Sequence, residues 1–149
     1  MLKVALDVEG TIDAAPAVFA SWLNAMKGSC ETYVVTGMGG QGDAANYAGV
    51  AAYLSALGVG PELYEGIAII SGDAKEKAQA KASWLFDHGT DIFIDNDKGN
   101  AQAAIEAGIP LVLVPWASRE GDKDDGNRKA RWTVEQKRAR HAAEKGDEM

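Results

Sequence analysis

Short apolar runs and longer amphipathic stretches alternate along the chain. Leu2–Leu6 is long enough for one buried strand and too short for a core helix. Residues 14–26 carry Val18, Phe19, Trp22, Leu23 and Met26 at helical spacing, which predicts an amphipathic helix stopped by Gly28. A second strand follows at Thr32–Val35. A glycine-rich loop from Gly37 to Gly42 comes next, then a helix to about Leu57 with Tyr47, Val50, Ala51, Leu54 and Leu57 on its inner face. Ile67–Ile70 reads as a fully buried strand, and a helix over 74–88 starts polar and turns apolar at Trp84, Leu85 and Phe86. Asp91–Ile94 and Leu111–Val114 are the last two strands, with an alanine-rich helix over 101–107 between them.

Strands alternating with helices imply right-handed crossovers and a parallel sheet covered on both faces. The expected fold class is therefore α/β, a Rossmann-like three-layer sandwich with a five-stranded parallel sheet of order 3-2-1-4-5. The crevice then falls between strands 1 and 4, where open α/β sheets hold their ligands. A core is expected over 1–120, a polar linker over 121–127, and a basic helix and tail over 128–149 with Trp132 as its docking anchor.

Composition narrows the field without deciding it. The chain has 149 residues and a net charge of -7, which fits one domain and argues against general nucleic-acid affinity. The charge is uneven, since seven Lys and Arg face only Glu135 and Glu144 over 128–145. No apolar run approaches the ~20 residues of a membrane span, and no secretory signal pattern opens the sequence. One cysteine, Cys30, rules out an internal disulfide, and two histidines are too few for a zinc site. A cytoplasmic protein is expected.

The chemistry gathers at strand ends. Asp7 closes the first strand, Glu9 follows, Gly10 permits a sharp turn, and Thr11 suits a helix cap or a phosphate contact. Asp95-Asn96-Asp97 closes the fourth strand. Several carboxylates and amides around one crevice call for a cation.

In this setting the chain resembles the haloacid dehalogenase-like phosphatases over about residues 1–115. The resemblance is carried by Asp7-Val8-Glu9-Gly10-Thr11, by Thr36 after Tyr33-Val34-Val35, and by Lys81, with Lys77 or Lys75 as substitutes. Asp95-Asn96-Asp97 running on to Ala107-Gly108-Ile109 completes it. It implies a capless, Mg²⁺-dependent phosphomonoester hydrolase. Asp7 would be the nucleophile, Glu9 the acid and base, Thr36 a phosphate hydrogen-bond donor and Lys81 a second positive charge. Asp7, Glu9, Asp95 and Asn96 would hold the metal; Thr11, Gly37 and Arg128 would contact substrate. The chain departs from the family pattern at Glu9, where Asp is usual, and at Asn96 and Asn100.

An open crevice suits a bulky substrate, a nucleotide or a nucleic-acid terminal phosphate, or closure by a second copy of the chain. The rival readings are a weakly active or inactive phosphate- or protein-binding module and a phosphoprotein phosphatase. A receiver-like module would instead place its acidic pair together after strand 1.

Overall fold

The computed structural model describes residues 1–37 and 44–115. The expected linker over 121–127, the basic helix with Trp132, Arg128 and most of the glycine-rich loop lie outside the described residues.

Five parallel strands form one sheet: β1 (Leu2–Leu6), β2 (Cys30–Thr36), β3 (Gly66–Ile69), β4 (Ile92–Ile94) and β5 (Leu111–Leu113), in the order β3-β2-β1-β4-β5. The helices are α1 (Pro16–Met26), α2 (Ala44–Ala56), α3 (Ala74–Asp87) and α4 (Lys98–Ala107). This is the expected doubly wound, Rossmann-like α/β fold. In register, Leu6 of β1 stands between Val34 of β2 and Ile94 of β4.

Period-two alternation along the strands divides the core into two layers. Val4, Leu6, Val34 and Ile94 pack with Phe19 and Leu23 of α1 and with Val50 and Leu54 of α2. On the opposite face, Ala5, Val35 and Phe93 pack with Leu85 of α3 and Ala104 of α4. Reaching β4 from the β3 edge carries the chain back past β2 and β1, so α3 runs on the face opposite α1 and α2. That crossing brings a helix from the middle of the sequence to the strand ends of β1 and β4.

Several elements differ from the pattern reading. A short 3-10 turn over Ile12–Ala14 precedes α1, which starts at Pro16, a residue suited to a first helical position. α4 begins three residues before the expected Ala101, because Asp97 caps it by accepting from Asn100 N at 2.9 Å. β3 is not fully buried, since it forms one edge of the sheet and only Ala68 within it is shielded. β5 forms the other edge, with Leu111 and Leu113 exposed. A continuous apolar run signals two-sided burial, which here only the strands inside the sheet receive. On the helices, Val18, Tyr47 and Phe86 face outward although their spacing placed them on apolar faces.

The buried stripe of α1 runs through Phe19 and Leu23, and Val18 is 48% exposed. Leu23→Ala is expected to lower stability by about 2–5 kcal/mol. Val18→Ala should stay within about 0.5 kcal/mol. Urea unfolding of both variants checks the assignment; equal losses would mean that the helix is rotated from this position.

Candidate active site

Asp7 and Asp95 each lie one residue past the end of a central strand. The Asp7 N–H donates to Ile94 O at 3.0 Å, and the Asp95 N–H donates to Leu113 O at 3.1 Å, so both are fixed by continued sheet pairing. From the opposite layer α3 presents a stripe of Ala78, Lys81, Ala82 and Leu85 at helical spacing, and Lys81 is only 3% exposed. Its Nζ lies 2.9 Å from Asp7 Oδ1 and 3.2 Å from Asp95 Oδ2. One lysine thus bridges two carboxylates from neighbouring strands. The Phe93 ring lies beneath it, with its centroid 5.9 Å from Nζ.

The loops are tied to this centre. Asp95 Oδ2 also accepts from Asn100 Nδ2 at 2.9 Å, and Oδ1 accepts from Asp97 N at 2.8 Å. Thr11 Oγ1 accepts from Asn96 N at 3.1 Å, joining the loop after β1 to the loop after β4. Gly10, at φ 77, turns the chain after Glu9. Its N–H donates to Asp13 Oδ1 at 2.7 Å, while Asp13 Oδ2 accepts from the Tyr53 hydroxyl at 2.9 Å. Burial, and then that bond to Asp13, push the Tyr53 phenol up to about 12, so it stays a neutral donor. The turn that carries Glu9 is thereby anchored to α2.

Charge decides what the centre can do. Two carboxylates share one ammonium in a buried place, so one negative charge lacks a partner within the triad. Burial raises the Asp7 carboxyl to about 7 against the lowering pull of Lys81, and Asp95 adds to the rise. Burial alone would discharge Lys81, but Asp7 and Asp95 outweigh it and hold its pKa above the usual lysine value. Asp95 is the better satisfied carboxylate, with three hydrogen-bond donors on it. Below about pH 7 the surplus proton therefore sits on Asp7, and above it Asp7 is an ionised carboxylate.

No family model matches the chain, and no curated protein matches it. Among solved structures it is similar to a universal stress protein from Archaeoglobus fulgidus, at 10% identity and a TM-score of 0.43, over 75% of this chain and 92% of that one. The expected membership in the haloacid dehalogenase-like phosphatases is overturned. Neither a family model nor a curated protein supports it. The physical reason is that short motifs at strand ends are weak carriers of ancestry. An acid after a first strand, a threonine closing a second and a glycine-rich loop before a helix suit any doubly wound sheet with an anionic crevice.

The residues expected at the site are placed as follows. Asp7, Lys81, Asp95 and Asn96 come together at the β1/β4 crevice, and Glu9 is half-buried on the turn beside it. Thr36 ends β2 two residues beyond the position paired with Leu6, fully buried at the same sheet edge. Gly37 follows it, its carbonyl accepting from Lys77 Nζ at 3.4 Å. Thr11 is fully buried, and its Oγ1 accepts from Asn96 N. Arg128 lies outside the described residues.

Lys81 is engaged by two carboxylates, not standing free for a phosphate, and Asp97 serves as the α4 cap. Asp13 and Tyr53 were missed as site-supporting residues, and Asn100, noted as a departure from the family pattern, donates to Asp95. The Asp97-x-x-Asn100 spacing was a signal for the cap, but no sequence pattern links Asp13 to Tyr53.

For a cation, the donor set is small. Among the described residues no group of three or more Asp, Glu, His or Cys is placed to hold a metal ion. Both Asp95 oxygens already accept hydrogen bonds, which leaves this carboxylate fewer lone pairs for a metal. Asn96 Oδ1, however, is buried with no hydrogen-bond partner among the described residues. A buried orphan acceptor fits a hard cation or an ordered water. Mg²⁺ characteristically takes one or two carboxylates and completes its shell with water and substrate phosphate.

Asp7 links this centre to stability. Its folded pKa of about 7 lies above its ordinary 3.8, so the folded chain keeps a proton that the unfolded chain sheds. Its contribution is neutral below about 3.8, falls as pH rises through that interval, and levels off above 7. Asp7→Asn removes this dependence. The stability of the variant relative to the parent is expected to rise by roughly 2 kcal/mol between pH 5 and pH 8. Urea unfolding at the two pH values tests it, and a constant difference would contradict the raised pKa.

Proposed function

We propose that this protein is a phosphomonoester hydrolase working through Asp7, with Mg²⁺ as its cofactor. The observation that carries the reading is the buried Asp7–Lys81–Asp95 bridge at the carboxyl edge of the parallel sheet. A carboxylate held at a strand end, with one oxygen fixed by a lysine, is a positioned nucleophile. Burial of such a group without a function is costly.

In this reading the Asp7 oxygen not held by Lys81 attacks phosphorus as the bond to the ester oxygen breaks, leaving an aspartyl-phosphate. Glu9 gives its proton to the departing oxygen. It then takes one from the water that attacks phosphorus, releasing phosphate and restoring Asp7. Lys81 fixes the orientation of Asp7 and lowers the repulsion between it and Asp95. Thr36, at the end of β2, is the hydrogen-bond donor assigned to a phosphate oxygen. Asp7 and Asn96 would hold the Mg²⁺, which when bound supplies charge neutralisation between a carboxylate and a phosphate.

Among the described residues only a turn, α1 and β2 itself lie between Asp7 and Thr36, with no inserted cap. That supports a nucleotide or nucleic-acid terminal phosphate as the substrate, in a cytoplasmic setting. None of the helices described is long and apolar enough to cross a membrane. A second reading, a phosphate-binding module without turnover, is favoured by Asn96 and Asn100 standing where carboxylates would give a metal more charge.

Hydrolysis of an aryl phosphate with Mg²⁺ separates the two readings. The hydrolase predicts turnover that EDTA abolishes and that Asp7→Asn lowers by at least about a hundredfold. Turnover in folded protein no greater than in Asp7→Asn would leave the binding module.

A further inference from the structure

Lys77 lies one helical turn before Lys81 on α3, a spacing that puts Cβ atoms ~5–6 Å apart. The two lysines are used differently. Lys81 is shut in, and its charge is divided between Asp7 and Asp95. Lys77 is half-buried and reaches to the end of β2, where its Nζ donates to Gly37 O at 3.4 Å. Among the described residues it has no carboxylate partner within ion-pair distance.

A Cβ at Gly37 would sit 3.1 Å from Lys77 Cδ and 3.4 Å from its Nζ. Gly37 has no positive φ that would call for glycine. The lysine stem thus lies directly against the Gly37 backbone, in a contact that a Cβ would shift by a few tenths of an ångström.

We propose that Lys77 binds the phosphoryl oxygens of the substrate and so sets its affinity. The inference rests on the phosphatase reading above and assigns a binding residue to that site. A phosphomonoester brings a charge of roughly -1.5 to -2 at neutral pH. It enters a crevice holding Asp7, Glu9 and Asp95, whose nearest ammonium is already engaged by two carboxylates. Beside the Mg²⁺ of that reading, Lys77 offers a further cation at the same sheet edge, just past the end of β2. Its bond to Gly37 is at the long limit for a hydrogen bond. An ammonium has three donors, so it can keep that bond while making charge-assisted bonds to phosphate.

Calorimetric titration of inorganic phosphate in the presence of Mg²⁺, into the full chain and its Lys77→Gln and Lys77→Arg variants, tests the assignment. Aryl phosphate kinetics on the same proteins provide the second readout. Lys77→Gln is expected to weaken phosphate binding about tenfold and to raise KM by a similar factor with kcat within about twofold; Lys77→Arg should recover most of the loss.

Equal phosphate affinity in the parent and Lys77→Gln would overturn the proposal, as would no phosphate binding by the parent. A drop in kcat with phosphate affinity unchanged would do the same. Weakened phosphate binding in Lys77→Gln without turnover in the parent would sustain the Lys77 assignment and overturn the hydrolase reading on which it was built. The two failures are therefore distinguishable.

Discussion

A buried lysine between two buried carboxylates is the interaction on which the rest of this structure depends. Each charge loses its hydration on burial, and the attraction that offsets the loss is shared unequally among three groups. Replacing such a triad with apolar side chains of similar volume is often neutral or stabilising, so stability alone does not account for it. What it provides is position. Lys81 fixes one oxygen of Asp7 and one of Asp95, and Asp95 in turn holds Asn100 and the backbone of Asp97. The start of α4, the loop after β4 and the end of β1 are thus referred to one ammonium nitrogen.

The surrounding fold makes that arrangement affordable. A parallel sheet places strand ends side by side, and the order β3-β2-β1-β4-β5 makes β1 and β4 neighbours. Their following residues are therefore held close by backbone pairing before any side chain contributes. Because α3 crosses the face opposite α1 and α2, it supplies its lysine from below the crevice rather than from its mouth. The long side chain of Lys81 spans from α3 to the strand ends of β1 and β4.

Much of this was legible in the sequence because it follows from periodicity. The strand and helix alternation, the order of the sheet and the location of the crevice all rest on apolar spacing and on the handedness of crossovers. Asp7 and Asp95 could be picked out because each ends an apolar run at a place where ligands bind. Lys81 could be chosen among three lysines, but its partners could not. That it is held by two carboxylates depends on a crossover that joins residues far apart in the chain. The outward turn of Val18 and Phe86 was hidden because helical spacing defines a stripe but not its exact edges. The edge exposure of β3 and β5 was hidden because an apolar run does not reveal whether both faces are covered. Family resemblance read from short motifs was the weakest step, since the same residues serve the geometry of any such crevice.

The separation of the bridging residues along the chain bears on how the centre comes into being. Lys81 lies 74 positions from Asp7 and 14 from Asp95. A chain in which only β1, β2 and β3 have associated already displays Asp7 at a strand end, but there the carboxylate is still hydrated and carries no burial penalty. The penalty arises when α3 and β4 dock, and so does the ammonium that offsets it. Desolvation and compensation are therefore coupled to the same docking of α3 and β4. A partly assembled sheet has neither the cost nor the chemistry, and the centre exists only where the whole sheet does.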